Sequence, residues 1–418
     1  MSFNAATILV GALLALLQVL AAVPWAAAAF LPEPPGDWWR KSRAAGRGGS
    51  YLLYGVGLLL LVAAAGAVAL SAVRDPSTLE NYGRIYGAAL QLQLTVDFFL
   101  LAFPLLLKVW PKGGAIALAA FRESVRQPMY WLLTLAAVGL MAVSPFIPYF
   151  TFGEDLVMVK ELGYDTVMLA ALAFGALAAS LFVSEEIEGR TAVTLMSKPV
   201  SRRQFLLGKF VGILLAVLLM FGLLGWFFEG SLLFKRWLDR MDQDPTTTLT
   251  PAPWINTWLT ALNLPRDPRE LLRGVFFWAD HTKETLPGLV LGYFQVMVLV
   301  SVAVSLATRL PMVVNLSVVL VVYFLSHLTP VLLSVGQRMQ KEEPGSVKSQ
   351  LLTFTAQLFD TLLPGLDFFK IGPSLLNEAP PEPGPFWVYI GSVAGYGVLY
   401  TLIVLLFGLI LFEDRDLA

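Results

Sequence analysis

The stretch that decides the fold is DTVMLAALAFGALAASLFV, residues 165–183, whose only charged side chain is Asp165 at its first position. Such a run is a candidate membrane helix, because about 20 apolar residues cross the roughly 30 Å hydrocarbon core of a bilayer. The next stretch, SEEIEGRTAVTLMSKPVSRRQFLLGKF (184–210), concentrates acids, lysines, arginines and a proline, and a second apolar run, 205–228, follows. The chain therefore crosses the membrane, turns through a charged segment and crosses back.

The same alternation of apolar runs and polar connections extends along the whole chain. Of its 418 residues, 57% are hydrophobic and 14% are charged, a balance that soluble domains do not need. Because spans in lipid must satisfy their own backbone hydrogen bonds, we predict an all-α integral membrane protein, multi-pass in the plasma or inner cell membrane. We predict about nine transmembrane helices, at 7–30, 51–73, 88–110, 129–150, 165–183, 205–228, 286–308, 312–334 and 386–412.

The positions of lysine and arginine predict the orientation. With the N-terminus outside, the short outer connections 74–87 and 151–164 carry only Arg74, Arg84 and Lys160. The inner connections are richer in both residues, as the positive-inside rule requires. The prediction is N-out and C-in.

The rest of the composition excludes several classes of function. Cysteine is absent, histidine occurs twice, and the formal net charge is -1. Thiolate chemistry and Cys/His zinc sites therefore have no residues to use, and nothing attracts the chain to nucleic acid. We predict no cofactor on this chain.

The charged stretch itself has the pattern of a short helix held between two spans. Gly189 permits a turn, Thr191 can cap the short helix AVTLMS, and Pro199 ends it. Ser201 and Gln204 then form a capping-box pattern that opens the next span. The alternative is a solvated loop that follows the positive-inside rule.

The order E-E-x-E-G-R-T, a short apolar helix, then S-K-P-V-S-R-x-x-F-L-L-G-K resembles the cytoplasmic coupling segment of ABC-2 type transporter permeases. It is most similar to the branch associated with multi-copper-enzyme maturation. A predicted surface helix at 113–128 and six spans from 129 to 412 match the layout of that family. The three earlier spans depart from its minimal pattern.

The resemblance implies the membrane subunit of an ATP-driven exporter, which works as a homodimer or with a related permease and with a cytosolic ABC ATPase. ATP and Mg²⁺ would bind that ATPase. The residues implied to shape the contact are Glu185, Glu186, Glu188, Gly189, Arg190, Thr191, Lys198, Pro199, Ser201 and Arg202, with Leu195 on the apolar side of the short helix.

The predicted domains follow from this layout. Residues 1–111 form an accessory region with three spans and a Pro/Arg-rich cytosolic linker at 31–50. Residues 112–418 form the ABC-2 type core, with the coupling segment at 184–204 and long outer loops at 229–285 and 335–385. An amphipathic helix is predicted in each outer loop, beginning near Asp267 and covering 349–369, and both are expected to rest at the outer interface.

The chain is not expected to hydrolyse ATP. Gly208 and Lys209 resemble the middle of a phosphate-binding loop, but Phe210 replaces the hydroxyl residue and Arg203 replaces the first glycine. We therefore predict a non-enzymatic transporter subunit whose ATPase is a separate chain.

A few polar residues within the spans leave an alternative open. Gln93 and Asp97 share one helix face, and an aspartate within the bilayer costs about 2.5 to 3.5 kcal/mol unless it is protein-facing or wet. Asp97 could serve an ion-coupled secondary transporter, or it could simply bond a neighbouring helix. His327 could titrate, or could be hydrogen-bonded only.

Overall fold

The computed structural model describes residues 5–30, 75–147, 155–184, 186, 201–241, 252–342, 347–370 and 383–413, with scattered positions between 57 and 73. Within these residues it contains helices and no strands. The prediction of an all-α protein is therefore confirmed for this part of the chain.

Eleven α-helices have described bounds, and short turns of 3₁₀- or π-helix extend or follow some of them. The α-helices are α1 (Ala5–Phe30), α2 (Pro76–Val109), α3 (Pro111–Arg126), α4 (Pro128–Val143), α5 (Asp155–Ala179), α6 (Arg202–Met241), α7 (Pro253–Ala261), α8 (Arg266–Ala307), α9 (Met312–Glu342), α10 (Val347–Leu362) and α11 (Pro383–Glu413). The short turns are 3₁₀-helices at Ser144–Phe146 and Leu366–Phe369 and a π-helix at Ser180–Ser184.

Eight helices among the described residues are long and apolar enough to cross a membrane. They agree in order with eight of the predicted spans, and the protein has the helices of a multi-pass membrane protein. The predicted second span, 51–73, lies largely outside the described residues. The count of nine and the N-out orientation therefore remain predictions.

The chain divides into two compact units. The larger unit comprises Lys112–Leu232 and Leu286–Ala418, and the smaller comprises Met1–Pro111 and Leu233–Thr285. The long helices α6 and α8 contribute residues to both units.

The core of the larger unit is built around α5. Between residues 167 and 179 all residues of this helix are apolar, as expected for a helical stretch that packs among other helices. Tyr130 of α4 packs edge-to-face on Phe174 of α5 with ring centroids 5.0 Å apart, and both side chains are buried. On the other side, a Cβ at Gly175 would overlap Val300 of α8, at 2.5 Å from its Cγ2. A small residue here lets α5 and α8 approach closely.

The smaller unit contains a close crossing between α2 and the first half of α8. A Cβ at Gly83 would overlap the Leu271 carbonyl oxygen and lie 3.0 Å from the Gly274 Cα. The Trp278 indole donates a hydrogen bond to the Gln91 side chain of α2. This crossing buries the face of α8 that carries Leu271 and Trp278.

The outer segment 229–285 is more helical than the sequence indicated. α6 continues past Glu229 to Met241, and the helix predicted near Asp267 runs on from Arg266 to Ala307 as one element. Pro287 inside α8 removes one backbone donor, but neighbouring helices often make such a proline tolerable in a membrane protein. The expectation of a separate interfacial helix after Asp267 is therefore wrong in extent.

The predicted amphipathic run at 349–369 does form a helix, α10, followed by the 3₁₀ turn. Both pack on α11 through tyrosine hydroxyls: Tyr396 accepts from the Gly365 amide at 3.0 Å, and Tyr389 donates to the Phe368 carbonyl at 2.7 Å. Tyr400, about 26 Å along α11 from Pro383 at 1.5 Å per residue, donates to the Leu362 carbonyl. The run thus packs along the side of a spanning helix, a position that its amphipathic pattern could not specify.

Candidate functional site

Three of the predicted coupling residues lie among those that the structure describes, namely Glu186, Ser201 and Arg202. The other eight lie outside the described residues: Glu185, Glu188, Gly189, Arg190, Thr191, Leu195, Lys198 and Pro199. The predicted turn, short helix and proline break therefore remain predictions. What the structure defines is how the two ends of the segment are held.

The first end of the segment follows a π-helical turn, Ser180–Ser184, at the end of α5. The Ser184 hydroxyl lies within hydrogen-bonding distance of two backbone carbonyls, Leu310 at 3.0 Å and Ala307 at 3.3 Å. One turn earlier, the Asn315 amide donates to the Ser180 hydroxyl at 3.0 Å. These contacts attach the end of α5 to the turn between α8 and α9.

The second end of the segment is a capped helix start. The Gln204 amide donates to the Ser201 hydroxyl, and the Ser201 amide donates to the Gln204 side chain, both at 3.2 Å. This reciprocal pair is the capping box that the sequence predicted. α6 therefore begins at a defined point next to the segment.

Arg202 connects this helix start to the end of α11. Its guanidinium donates to the Phe412 carbonyl at 2.8 Å and to the Glu413 carbonyl at 2.9 Å. Arg309 donates in the same way to the Leu411 carbonyl at 2.8 Å. Cations are favourable here because the last carbonyls of a helix have no partner within it and carry partial negative charge.

Lys209, two turns into α6, is the buried centre of an ion-pair group whose two carboxylates are partly exposed. Its ammonium lies 2.5 Å from Glu186 Oε1 and 3.4 Å from Glu123 Oε2 of α3, and 5.7 Å from the centre of the Phe182 ring. The lysine side chain is only 6% exposed, against 23% for Glu186 and 44% for Glu123. We refer to Glu123, Glu186 and Lys209 as the three-charge group.

Burial and neighbouring charges shift the pKa of the Glu186 carboxyl. Burial raises the pKa of the Glu186 carboxyl above its ordinary range, Lys209 opposes that shift, and the nearby Glu123 carboxylate adds to it. The net direction is upward. The two carboxylates are thus close enough to influence each other across the ammonium.

Helix α3 packs tightly against the start of α6 beside this group. A Cβ at Gly208 would lie 2.8 Å from the Ile116 Cβ, and one at Gly212 would overlap the Ala117 carbonyl oxygen and approach the Ala120 Cβ to 2.6 Å. A helix is therefore present where the sequence predicted one at 113–128, as α3, and its Ile116 and Ala120 side chains are buried. Ala119 of the same helix is exposed.

Sequence reasoning missed the functional interest of Lys209 and Glu123. The sequence around Lys209 indicates only an incomplete phosphate-binding loop, and Glu123 lies within the predicted helix at 113–128 without a distinctive pattern. One signal was available: a lysine within a predicted span needs a counter-charge, because an unpaired cation in an apolar setting is costly. The identity of the partners was not available from local pattern.

Gln93 and Asp97 have partners on a neighbouring helix, and His327 has one on its own helix, α9. Gln93 accepts a hydrogen bond from Gln18 of α1, and the buried Asp97 carboxylate accepts one from the Trp25 side chain. His327 Nδ1 lies 2.9 Å from the Tyr323 carbonyl oxygen, and its ring centre lies 4.5 Å from that of Tyr323. These contacts give Gln93, Asp97 and His327 structural partners.

Among the described residues, no group of His, Asp and Glu side chains could hold a metal ion.

Part of the chain matches the model of a known protein family. Residues 114–234 match the model of a family described as ABC-2 family transporter protein. The match begins in α3, ends in α6 and includes the whole of the coupling segment. It supports the resemblance to ABC-2 type permeases. It therefore supports a transporter membrane subunit rather than a catalytic enzyme. Such subunits typically pair with an ABC ATPase. The match does not single out the multi-copper-enzyme-maturation branch, and it does not favour an ion-coupled transporter. The comparison with curated proteins returned no match.

Proposed function

We propose that this chain is the membrane-spanning permease subunit of an ATP-driven ABC-2 type exporter. The observation that carries the proposal is the family match over 114–234, which covers the charged stretch, the helices that flank it and the surface helix α3. The ATPase is a separate cytosolic chain that binds ATP and Mg²⁺. The permease works in the cell membrane as a homodimer or beside a related permease.

The proposed mechanism is mechanical. Closure of the ATPase pushes the coupling segment 184–204, with Leu195 and the charged residues around it as the contact. The attachments at both ends of the segment support this mechanism, because a rigid joint transmits displacement. Ser184 joins the segment to the α8–α9 turn, and Arg202 joins it to the end of α11. A push on the segment would therefore reach several spans together.

Nine crossings with the N-terminus outside fit this proposal. α1 and α2 run parallel, since Leu14, Gln18 and Trp25 of α1 contact Tyr86, Gln93 and Asp97 of α2 in the same order. If both helices cross the bilayer, the chain must return between them, within residues 31–75. The apolar run at 51–73 is the segment that can do so.

Charge reversal tests the contact. We expect the double variant Glu185→Lys, Glu188→Lys to lose most of the ABC ATPase that co-purifies with the native chain, together with ATP-dependent transport. Asp360→Lys, which reverses an exposed charge on α10, is the control and should retain both. A Glu185/Glu188 variant that keeps the full complex and its transport would contradict the docking role.

A further inference from the structure

The three-charge group contains one cation and two carboxylates that come from different elements. Lys209 belongs to α6, Glu123 to the last turn of α3, and Glu186 to the start of the coupling segment. All three lie in the larger unit. The lysine side chain is almost fully buried, so its ammonium depends on these carboxylates rather than on water.

The two carboxylates compete for that ammonium. Glu186 holds it at 2.5 Å, whereas Glu123 lies at 3.4 Å, at the long end of a hydrogen bond. The carboxylates also repel each other, so a strong pair with one weakens the pair with the other. If Glu186 moved away, Glu123 would be the nearest carboxylate to the ammonium among the residues that the structure describes.

We propose that Lys209 is a switching junction that passes its ion pair from Glu186 to Glu123 when the coupling segment moves. The position of the segment thereby sets how firmly the end of α3 is held to α6. This inference rests on the proposed function for the source of the movement, and on the geometry alone for the exchange of partners.

The end of α3 is a useful place to deliver such a signal, because it leads directly into α4. The Gln127 amide bonds the Ser124 carbonyl at 3.2 Å, and the Trp131 indole in the first turn of α4 donates to the Val125 carbonyl at 3.0 Å. At the other end of the contact, Gly208 holds α6 close to Ile116. Tightening the Glu123 pair would therefore fix α4 as well as α3 to α6.

Amide hydrogen exchange in the purified chain tests the exchange of partners without any ATPase. We expect Glu186→Gln to slow exchange in residues 120–126 by about threefold, because the ammonium turns to Glu123. Glu123→Gln should speed exchange there by a similar factor. Arg122→Gln, an exposed neighbour outside the three-charge group, is the matched control and should leave the effect of Glu186→Gln intact.

The slowing of amide exchange in Glu186→Gln must also depend on Lys209. In a Lys209→Met background, Glu186→Gln should no longer slow exchange in α3. If Lys209→Met does not fold, the double variant Glu123→Gln, Glu186→Gln decides instead, and it should exchange like Glu123→Gln alone. Unchanged or faster exchange in Glu186→Gln, or a slowing that persists without Lys209 or Glu123, would overturn the junction.

A second measurement tests whether the Lys209 junction transmits movement from the ATPase to α3. In the complex with the ATPase, a spin label at Ala119→Cys should change mobility when ATP and vanadate are added, and Glu123→Gln should remove that change. An unchanged response in Glu123→Gln would overturn the role of the junction in transmission. Failure of any ATPase to bind the native chain would instead contradict the proposed function, while the exchange experiment would still decide the junction.

Discussion

Lys209 is held in an apolar setting by carboxylates, and this is the residue-scale feature from which the rest of the account follows. Removing a partner from a buried pair leaves an uncompensated charge, which commonly costs more than the intact pair contributes. The Phe182 ring face adds a weaker attraction at 5.7 Å. The lysine therefore constrains the positions of Glu186 and Glu123 more than an exposed ion pair would.

The titration of Glu186 gives a prediction at this scale. Its pKa is raised by burial, so the folded chain binds this proton more readily than the unfolded chain. Stability should therefore fall as pH rises through the raised pKa, and recover on acidification. We expect the melting temperature of the native chain, minus that of Glu186→Gln, to increase as pH is lowered from about 8 to about 5. A melting-temperature difference that stays constant or decreases on acidification would contradict a raised pKa for Glu186.

The sequence alone could identify Lys209 but not its partners. Glu123 is 86 positions away along the chain, and Glu186 is 23 away. No local pattern joins residues at such separations, because their proximity depends on how α3, α5 and α6 pack. The same holds for Arg202, whose carbonyl partners lie 210 and 211 positions away.

At the scale of elements, small residues decide how closely α3 approaches α6. Gly208 and Gly212 are four apart, so they lie on one face of α6, where the backbone of α3 can approach without side chains between them. This close contact keeps Glu123 within reach of Lys209. The packing of the two helices and the ion pair therefore support each other.

Adding a methyl group at Gly212 tests the close contact between α3 and α6. We expect Gly212→Ala to lower the free energy of unfolding in detergent by about 1 to 3 kcal/mol, because the added Cβ overlaps α3. Gly230→Ala is the matched control on the same helix, where a Cβ meets nothing within 4 Å. It should be neutral or stabilising by up to about 1 kcal/mol. Equal effects of the two substitutions would contradict the close packing.

Elements were predictable where their signals are local. The capping box at Ser201 and Gln204 was correct because both partners lie within one turn. The helix near Asp267 was located, but its continuity through Pro287 depends on neighbouring helices. Packing against α2 likewise decides which face of this helix is buried: Gly274 lies at the contact, and Phe277 and Trp278 are buried more deeply than Val275 and Phe276.

For the molecule as a whole, the proposed contact with an ATPase requires the coupling segment to lie on the cytosolic side of the membrane. The absence of cysteine from the sequence makes single-cysteine labelling unambiguous. Ser77, beside the start of α2, is predicted to lie outside, and Ser197, in the coupling segment, is predicted to lie in the cytosol. Labelling at Ser77→Cys serves as the reference for labelling at Ser197→Cys.

Labelling and cross-linking at Ser197→Cys test whether the coupling segment is cytosolic and contacts the ATPase. We expect an impermeant maleimide to label Ser77→Cys on intact cells and Ser197→Cys only after the membrane is opened. A bifunctional thiol reagent at Ser197→Cys should then link the chain to its ABC ATPase. Labelling of Ser197→Cys from outside intact cells, or no link to an ATPase that is present in the complex, would contradict the account.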